Sequence, residues 1–540
     1  MVAPQQAQRD NAEIHNLPPI SAHLYAQGVQ QPAGLGRWMV AIVSGLALTA
    51  LGVVMLPDGK EAASPWMRRQ EPEMEPSPVD ILARQLRQVP AGNVDARRTL
   101  HASMGHIFRD RGRYREAAQH YKEASELAAG ATDKSVALQH LGLVEMHLGH
   151  LTSAALLLSA ALAAGGGDQA ESSVGVLHTI GDVKLQQGKI AEAIREYTRA
   201  YSIAVQHRDL DESILLLADI GEAWARKGHV EEAFKWMQKA SEQLEVSRTS
   251  AQGVTELVAA KVSSYLGSAY HLKGNVAKAM DLYHKAMRVQ AKSLRPSHSD
   301  LLATRVSMAR AQRDMGDSDG AMRAIEAIEK TSRNGPNEGP DLSRVLVLKS
   351  DMLREAKQTR VAEDTAKEAI RLQSECYGSE DHPEIAVAIA SYGGILHDSG
   401  KFAEAREKYE EALKMNQMTV GMYHPETASV YNSMGTLFQD ISDPVASFGQ
   451  FTKCLEIQRR TVGETSPDVA NTYNNMATVL FQQGRSEEAA GLLKKAIQIL
   501  DATSSPKLSP ERLLYEENLE EVLKSAGSAD GSAASITADA

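Results

Sequence analysis

Residues 382–500 decide the fold, because they fall into three segments of matching pattern. They read HPEIAVAIASYGGILHDSGKFAEAREKYEEALKMNQMTVGMY (382–423), HPETASVYNSMGTLFQDISDPVASFGQFTKCLEIQRRTVGET (424–465) and SPDVANTYNNMATVLFQQGRSEEAAGLLKKAIQIL (466–500). Each segment opens on a histidine or serine followed by proline, at a spacing of 42 residues (382, 424, 466). Self-similarity at a fixed period indicates a stack of similar supersecondary units.

Small residues recur inside each segment and, with drift in the intervals, along the chain upstream. The first small position is Gly105, Gly142, Gly181, Gly221, Gly267, Ala309, Ser350, Gly393, Gly435 or Ala477. A second follows twelve residues later, at Ala117, Ala154, Ala193, Ala233, Ala279, Ala321, Ala362, Ala405, Ser447 or Ala489. Small residues at these positions let two antiparallel helices approach closely, and stacking buries the apolar face that one hairpin leaves open. The pattern predicts about ten helical hairpins over residues 98–500.

Prolines mark where the first helix of a unit begins. Five of them recur at intervals of 43, 42, 42 and 43 residues: Pro340, Pro383, Pro425, Pro467 and Pro510. A proline at the first helical position loses no needed hydrogen bond and fixes a helical φ. Pro510 therefore predicts a C-terminal capping helix over 509–525. The small, polar residues 526–540 are predicted to be a disordered tail.

The N-terminal region contains one stretch with the length and polarity of a membrane span. Residues 38–56 hold 19 residues without a formal charge, enough to cross a bilayer core of roughly 30 Å. They predict a single transmembrane helix between a disordered tail (1–37) and an acidic, proline-rich linker that leads into the array (57–97). A buried helix and a cleaved signal peptide are the alternatives left open.

Charges beside this stretch predict a topology. Lys60, Arg68 and Arg69 follow it and only Arg37 directly precedes it, which favours the array on the cytosolic or matrix side. The predicted localisation is a single-pass membrane protein, in a mitochondrial membrane or the endomembrane system. A stripe of small residues in the stretch could also pair two copies into a homodimer: Ala41, Gly45 and Thr49.

Composition and motifs argue against several classes of function. The net charge is -11, with acids and bases interspersed, so the chain lacks the basic face that nucleic acid requires. It contains no GxxxxGK[ST], GxSxG or HExxH motif, so we predict no enzyme, cofactor or metal site. Cys376 and Cys454 form no CxxC pair, which weakly favours a reducing compartment. His382 and His424 recur along the array and do not converge, so we expect caps or turn packing rather than metal ligands.

The repeat pattern resembles the tetratricopeptide repeat over about residues 98–500. The resemblance implies an all-α, right-handed α-solenoid whose first helices line a concave groove. Ser350, Lys357 and Ala366 depart from the usual glycine, glycine and aromatic, so we expect a looser joint in the seventh unit.

In that family, five positions of each first helix line the groove. Carried over to the ninth and tenth units, and set beside Asp440 and Phe481, they nominate a peptide-binding set: Ser429, Asn432, Thr436, Gln439, Asn471, Asn474, Thr478 and Gln482. Asparagine amides can both donate to and accept from an extended peptide backbone, which suits a sequence-tolerant grip.

The last three units also resemble kinesin light chain repeats. They share the 42-residue spacing, a Gly-x-x-His-Pro junction and the paired Asn474 and Asn475. In that family such asparagines hold cargo peptides, which singles out Asn432 and Asn474. The predicted function is a membrane-anchored scaffold or adaptor that binds protein or peptide partners in its groove. The alternatives are a soluble kinesin light chain-like cargo adaptor and a mitochondrial membrane assembly or import factor.

Overall fold

The computed structural model describes residues 77–167, 170–248, 254–334, 340–377, 381–502 and 510–536. Within these ranges the chain forms 22 α-helices and no strand. In chain order they are α1 (Pro78–Gln88), α2 (Val94–Asp110), α3 (Tyr114–Leu127), α4 (Ala131–His147), α5 (Leu151–Ala164), α6 (Ser173–Gln186), α7 (Ile190–His207), α8 (Leu210–Arg226), α9 (Val230–Arg248), α10 (Glu256–Leu272), α11 (Val276–Ser293), α12 (Ser299–Asp314), α13 (Ser318–Arg333), α14 (Pro340–Glu355), α15 (Thr359–Tyr377), α16 (Pro383–Asp398), α17 (Phe402–Thr419), α18 (Pro425–Asp440), α19 (Pro444–Thr461), α20 (Pro467–Gln482), α21 (Ser486–Ala502) and α22 (Pro510–Ile536).

Helices α2 to α21 pair into ten hairpins, here called units 1 to 10, each with a first and a second helix. The predicted all-α repeat solenoid is confirmed. Helix α1 lies inside the predicted linker 57–97, and α22 packs on α21 and runs to Ile536, beyond the predicted end at residue 525.

The predicted membrane localisation is corrected by the structure. None of the helices in the described residues is both long and apolar enough to cross a bilayer. The predicted span 38–56 and its stripe of small residues lie outside the described residues. We therefore do not carry the single-pass membrane assignment forward.

The two helices of a unit fit because their volumes are complementary. A methyl group placed on Gly435 would lie 2.5 Å from Cε1 of Phe451, and one on Gly181 would lie 2.3 Å from Cε1 of Tyr197. In unit 10 the first helix has Ala477, and the second has Leu493 instead of an aromatic ring. All of these partners are buried, so a smaller residue on the first helix is matched by a larger one on the second, and a larger residue by a smaller one.

The seventh unit follows the same rule. Ser350 is fully buried, and Ala366 is 1% exposed where other units place a larger side chain. Lys357 adopts a φ of 57° at the turn where most units have glycine. The three departures from the repeat pattern are accommodated within the unit. The small Ala366 leaves room for Ser350, and Lys357 adopts the left-handed backbone conformation that glycine has elsewhere.

The array coils back on itself, so that units six apart are in contact. The glycine turn of a unit packs against the proline that begins the first helix six units later. The pairs are Gly112 with Pro340, Gly149 with Pro383, Gly188 with Pro425 and Gly228 with Pro467. We call this contact between units 1–4 and units 7–10 the seam.

Two histidines bond across the seam. His382 accepts a hydrogen bond at Nδ1 from the Glu384 backbone NH (3.1 Å) and donates from Nε2 to the carbonyl of His147 (3.1 Å). His424 repeats this geometry with the Glu426 NH (3.1 Å) and the Gln186 carbonyl (3.0 Å). Each ring thus caps its own helix, which confirms the predicted capping role. Each ring also donates a hydrogen bond to a backbone carbonyl at the end of a first helix six units earlier.

Apolar side chains make the core continuous across the seam. Val462 follows α19, is 2% exposed and belongs to the core of units 3 to 5. Val420 follows α17 and packs against the core of units 2 and 3. From the other side, Tyr114 of unit 1 packs against the core of units 7 to 9. Full burial of a valine contributes about 1.5–3 kcal/mol, so these contacts hold the two coils together.

Candidate binding groove

A row of acid–base pairs joins the first helices of units 5 to 9. A base four residues after the small residue of one first helix meets an acid five residues after the small residue of the next. The nitrogen–oxygen distances are 2.8 Å for His271–Asp314, 3.5 Å for Arg313–Glu355, 3.8 Å for Arg354–Asp398 and 2.8 Å for His397–Asp440. Each acid in the row is thus ion-paired or hydrogen-bonded to a base on the neighbouring first helix.

The predicted asparagines form a ladder that reaches the last helix. Asn475 donates from Nδ2 to Oδ1 of Asn432 (3.1 Å), and Asn518 of α22 donates to Oδ1 of Asn474 (2.8 Å). Asn474 is 7% exposed. Its amide therefore joins unit 10 to the capping helix, whereas Asn432 is only half-buried.

Three of the eight predicted residues line one cavity. Ser429, Asn432 and Asn471 border a space of about 320 Å³ between α18 and α20. The exposed carboxyls of Glu426 and Asp468 also line it. The cavity offers hydroxyl and amide groups that can both donate and accept.

The other predicted residues have different surroundings. Thr436 and Thr478 donate to carbonyls of their own helices, those of Asn432 (3.2 Å) and Asn474 (3.1 Å). Gln439 is half-buried, and Gln482 is exposed. The structure therefore brings together Ser429, Asn432 and Asn471, and places the other predicted residues outside this cavity.

Two larger cavities follow the seam and were not predicted. One, of about 560 Å³, lies among His147, Arg226, His382 and His424. The other, of about 600 Å³, lies between units 1 and 2 and units 5 to 7. Their lining residues come from distant parts of the chain, so their meeting could not be read from the repeat spacing.

The wall of the first seam cavity is built around a paired arginine. The Arg344 guanidinium donates to Oε1 of Glu384 at 2.8 and 2.6 Å. Tyr377 also hydrogen-bonds Glu384 and stacks on His382 with ring centroids 3.5 Å apart. Despite its burial, the Glu384 carboxyl keeps a lowered pKa because of Arg344 and Tyr377.

A buried ionic cluster connects the first helices of units 3 and 4. His178 contacts Glu212 through Nδ1 (2.6 Å) and Asp219 through Nε2 (3.0 Å). Burial opposes the charge on His178, but hydrogen bonds to the two carboxylates raise its pKa well above the usual value. Sequence spacing gave no sign of this cluster, because its members belong to different units.

The described residues contain no group of three or more histidine, cysteine or acidic side chains that could hold a metal ion. Cys376 is half-buried, and Cys454 is fully buried. Burial raises the pKa of both thiols to about 11. Both are therefore protonated at neutral pH, when a thiol is a poor nucleophile.

Comparisons with known proteins agree with this architecture. Family models described as Tetratricopeptide repeat match residues 384–459, 426–502 and 100–135. The chain is 25% identical over 179 residues to the protein O-mannosyl-transferase TMTC1 of Homo sapiens, a match that covers 29% of this chain and 19% of that protein. The chain thus spans about a fifth of the length of the curated relative that it matches.

Several solved structures are also similar. A Rap protein complexed with competence and sporulation factor has a TM-score of 0.49 at 12% identity, over 75% of this chain and 98% of that one. The apo form of the quorum sensor NprR from B. thuringiensis has a TM-score of 0.40 at 16% identity, over 62% and 91%. A putative kinesin light chain of Podospora anserina with nearly identical TPR-like repeats has a TM-score of 0.25 at 17% identity, over 47% and 100%.

Proposed function

We propose, from the premise that the chain is a tetratricopeptide repeat protein, that it is an adaptor which holds a peptide segment of its partner in the groove of units 9 and 10. The observation that supports this proposal is the polar cavity between α18 and α20, where Ser429, Asn432 and Asn471 converge. Their hydroxyl and amide groups match the donors and acceptors of an extended peptide backbone.

The amide groups of the cavity suit recognition of a peptide backbone, and Glu426 and Asp468 add two carboxyl groups beside them. Acid–base pairs already occupy the first helices of units 5 to 9. In the cavity itself, Asn432 accepts from Asn475 through Oδ1, and its Nδ2 has no hydrogen-bond partner among the described residues. Such an amide can donate to a carbonyl of a bound chain without selecting its side chains.

Linear dodecapeptides selected by phage display against the full chain supply the probe for a test. We expect Asn432→Ala with Asn471→Ala to weaken binding of an enriched peptide at least tenfold, because two hydrogen bonds of about 1 kcal/mol each are removed. Fluorescence anisotropy of the labelled peptide measures the change, and circular dichroism checks that helicity is retained.

Gln417→Ala with Gln498→Ala is the matched control, since both glutamines are exposed on second helices. This pair should leave affinity unchanged. Asn474 is unsuitable for the test, because its bond to Asn518 makes its removal a perturbation of α22. Equal affinity of the groove variant and the parent would refute the proposed site.

A further inference from the structure

We propose that the seam closes the groove into a channel, and that the partner is therefore an extended polypeptide segment that enters by a free end. This inference rests on the proposed function and adds the kind of partner that the site accepts. It follows from which parts of the units meet across the seam, and from how many units lie between them.

The seam lies along the first helices, which form the inner wall of a stack of hairpins. On one side are the ends of the first helices of units 2 and 3, at His147 and Gln186. On the other side are the starts of the first helices of units 8 and 9, at Pro383 and Pro425. In successive coils, the end of a first helix therefore contacts the start of the first helix six units later.

At the histidine contacts little room remains for a chain to pass sideways between the coils, and the two seam cavities lie beside these contacts. A methyl group on Gly149 would lie 2.7 Å from Cδ2 of His382, and one on Gly188 would lie 2.8 Å from Cδ2 of His424. Val462, at 2% exposure, is shared with the core of the opposite coil. A partner backbone cannot cross contacts of this kind unless they break.

The number of units in a coil sets the width of the enclosed space. Six first helices roughly 10 Å apart form a ring whose radius is also roughly 10 Å. Each helix occupies roughly 5 Å of that radius, which leaves a bore of roughly 10 Å. An extended chain has about this thickness with its side chains. A folded domain of 100 residues, with a radius of gyration of about 13 Å, does not fit.

The lining suits a threaded chain. The acid–base row of units 5 to 9 is paired within the protein, and the cavity around Asn432 is polar. A segment can slide past side chains that are already paired within the protein and be held where amide groups face its backbone. An open groove with the same lining would accept an internal segment equally well, and this difference is what an experiment can measure.

The test compares three forms of one enriched dodecapeptide on the full chain: free, fused at one end to a folded domain, and fused at both ends. Each fusion carries a Gly/Ser linker of about 40 residues, whose mean span of roughly 35 Å keeps the domain away from the array. Binding is measured by isothermal titration calorimetry. We expect the free and singly fused forms to bind with similar affinity and the doubly fused form to show no binding.

Each alternative result is decisive. Equal binding of the doubly fused form would overturn the closed channel and leave the proposed groove intact. If no linear peptide binds in any form, the proposed function fails, and the inference that rests on it fails as well. A doubly fused peptide with a protease site in one linker serves as the internal control, because cleavage should restore binding.

Discussion

Single residues decide how closely the two helices of a unit approach. Gly435 faces Phe451, whereas Ala477 in the next unit faces Leu493, which has no ring in that position. An extra methyl group on the first helix is thus compensated by a smaller partner on the second. The interior is closely packed, so neither change is neutral alone.

This complementarity gives a prediction for one pair. We expect Gly435→Ala to destabilise the protein by about 1–3 kcal/mol, because the new methyl group overlaps the Phe451 ring. Adding Phe451→Leu should recover part of that loss, because it recreates the pair that unit 10 has. A double-mutant cycle from urea denaturation measures the coupling. Strict additivity of the two changes would contradict the interpretation.

Turn glycines allow the left-handed backbone of each turn. Some of them also leave space for the opposite coil at the seam. Gly188 and Gly400 both adopt a left-handed conformation, with φ of 70° and 73°. Only Gly188 faces another coil, since a methyl group there would approach His424 and Pro425, whereas nothing lies within 4 Å of the same position on Gly400. The chain therefore contains two turns of equal backbone geometry with different surroundings.

We expect Gly188→Ala to lower the thermal midpoint of the full chain more than Gly400→Ala does. Both variants lose roughly 1–2 kcal/mol for a left-handed alanine, and only the first must also push the coils apart. Differential scanning calorimetry measures both midpoints. Equal shifts would show that the seam is not formed in solution.

These elements also show how far the sequence could predict the fold. The proline spacing and the small positions predicted the hairpins, because such contacts lie within one unit or between neighbours. The seam escaped prediction because His147 and His382 are 235 residues apart, and each has a sufficient local reason to be a helix-end residue. Around the site, Asn432 lies in a cavity of polar residues, and its role in binding stays a prediction. The bond from Asn518 to Asn474 depends on α22, which has no second helix to pair with.

At the scale of the whole molecule, the closed coil depends on neutral histidines. Burial lowers the pKa of His382 and of His424 to about 4. Around His382 lie Glu384, Tyr377 and Arg344, together with the His147 carbonyl, and His150 also acts on it. Protonation would put a hydrogen on Nδ1, which could then no longer accept from the backbone NH that it caps.

The seam should therefore weaken as pH falls from about 6.5 to about 4. In that interval the unfolded chain binds protons that the folded histidines do not, so stability declines on acidification and is unaffected above pH 6.5. Each histidine contributes up to about 3 kcal/mol to this decline. The matched variant is His382→Ser with His424→Ser, because the chain already uses Ser466 as the third cap.

At neutral pH we expect the double serine variant to be less stable than the parent, since it lacks both bonds across the seam. As pH falls to 4, the difference in thermal midpoint between the two proteins should shrink. The remaining buried histidines are common to both proteins and cancel in the comparison. A difference that stays constant over this range would contradict the assignment of neutral rings.

Contact between units six apart also changes the mechanics of the array. An open solenoid lengthens like a spring, because small rotations at every joint add up along its axis. Here the buried Val462 and the two histidine bonds tie neighbouring coils together, so axial tension must first part those ties before the joints can rotate. The molecule therefore resists stretching as a tube does, with a yield point set by the seam and not by the stiffness of its hairpins.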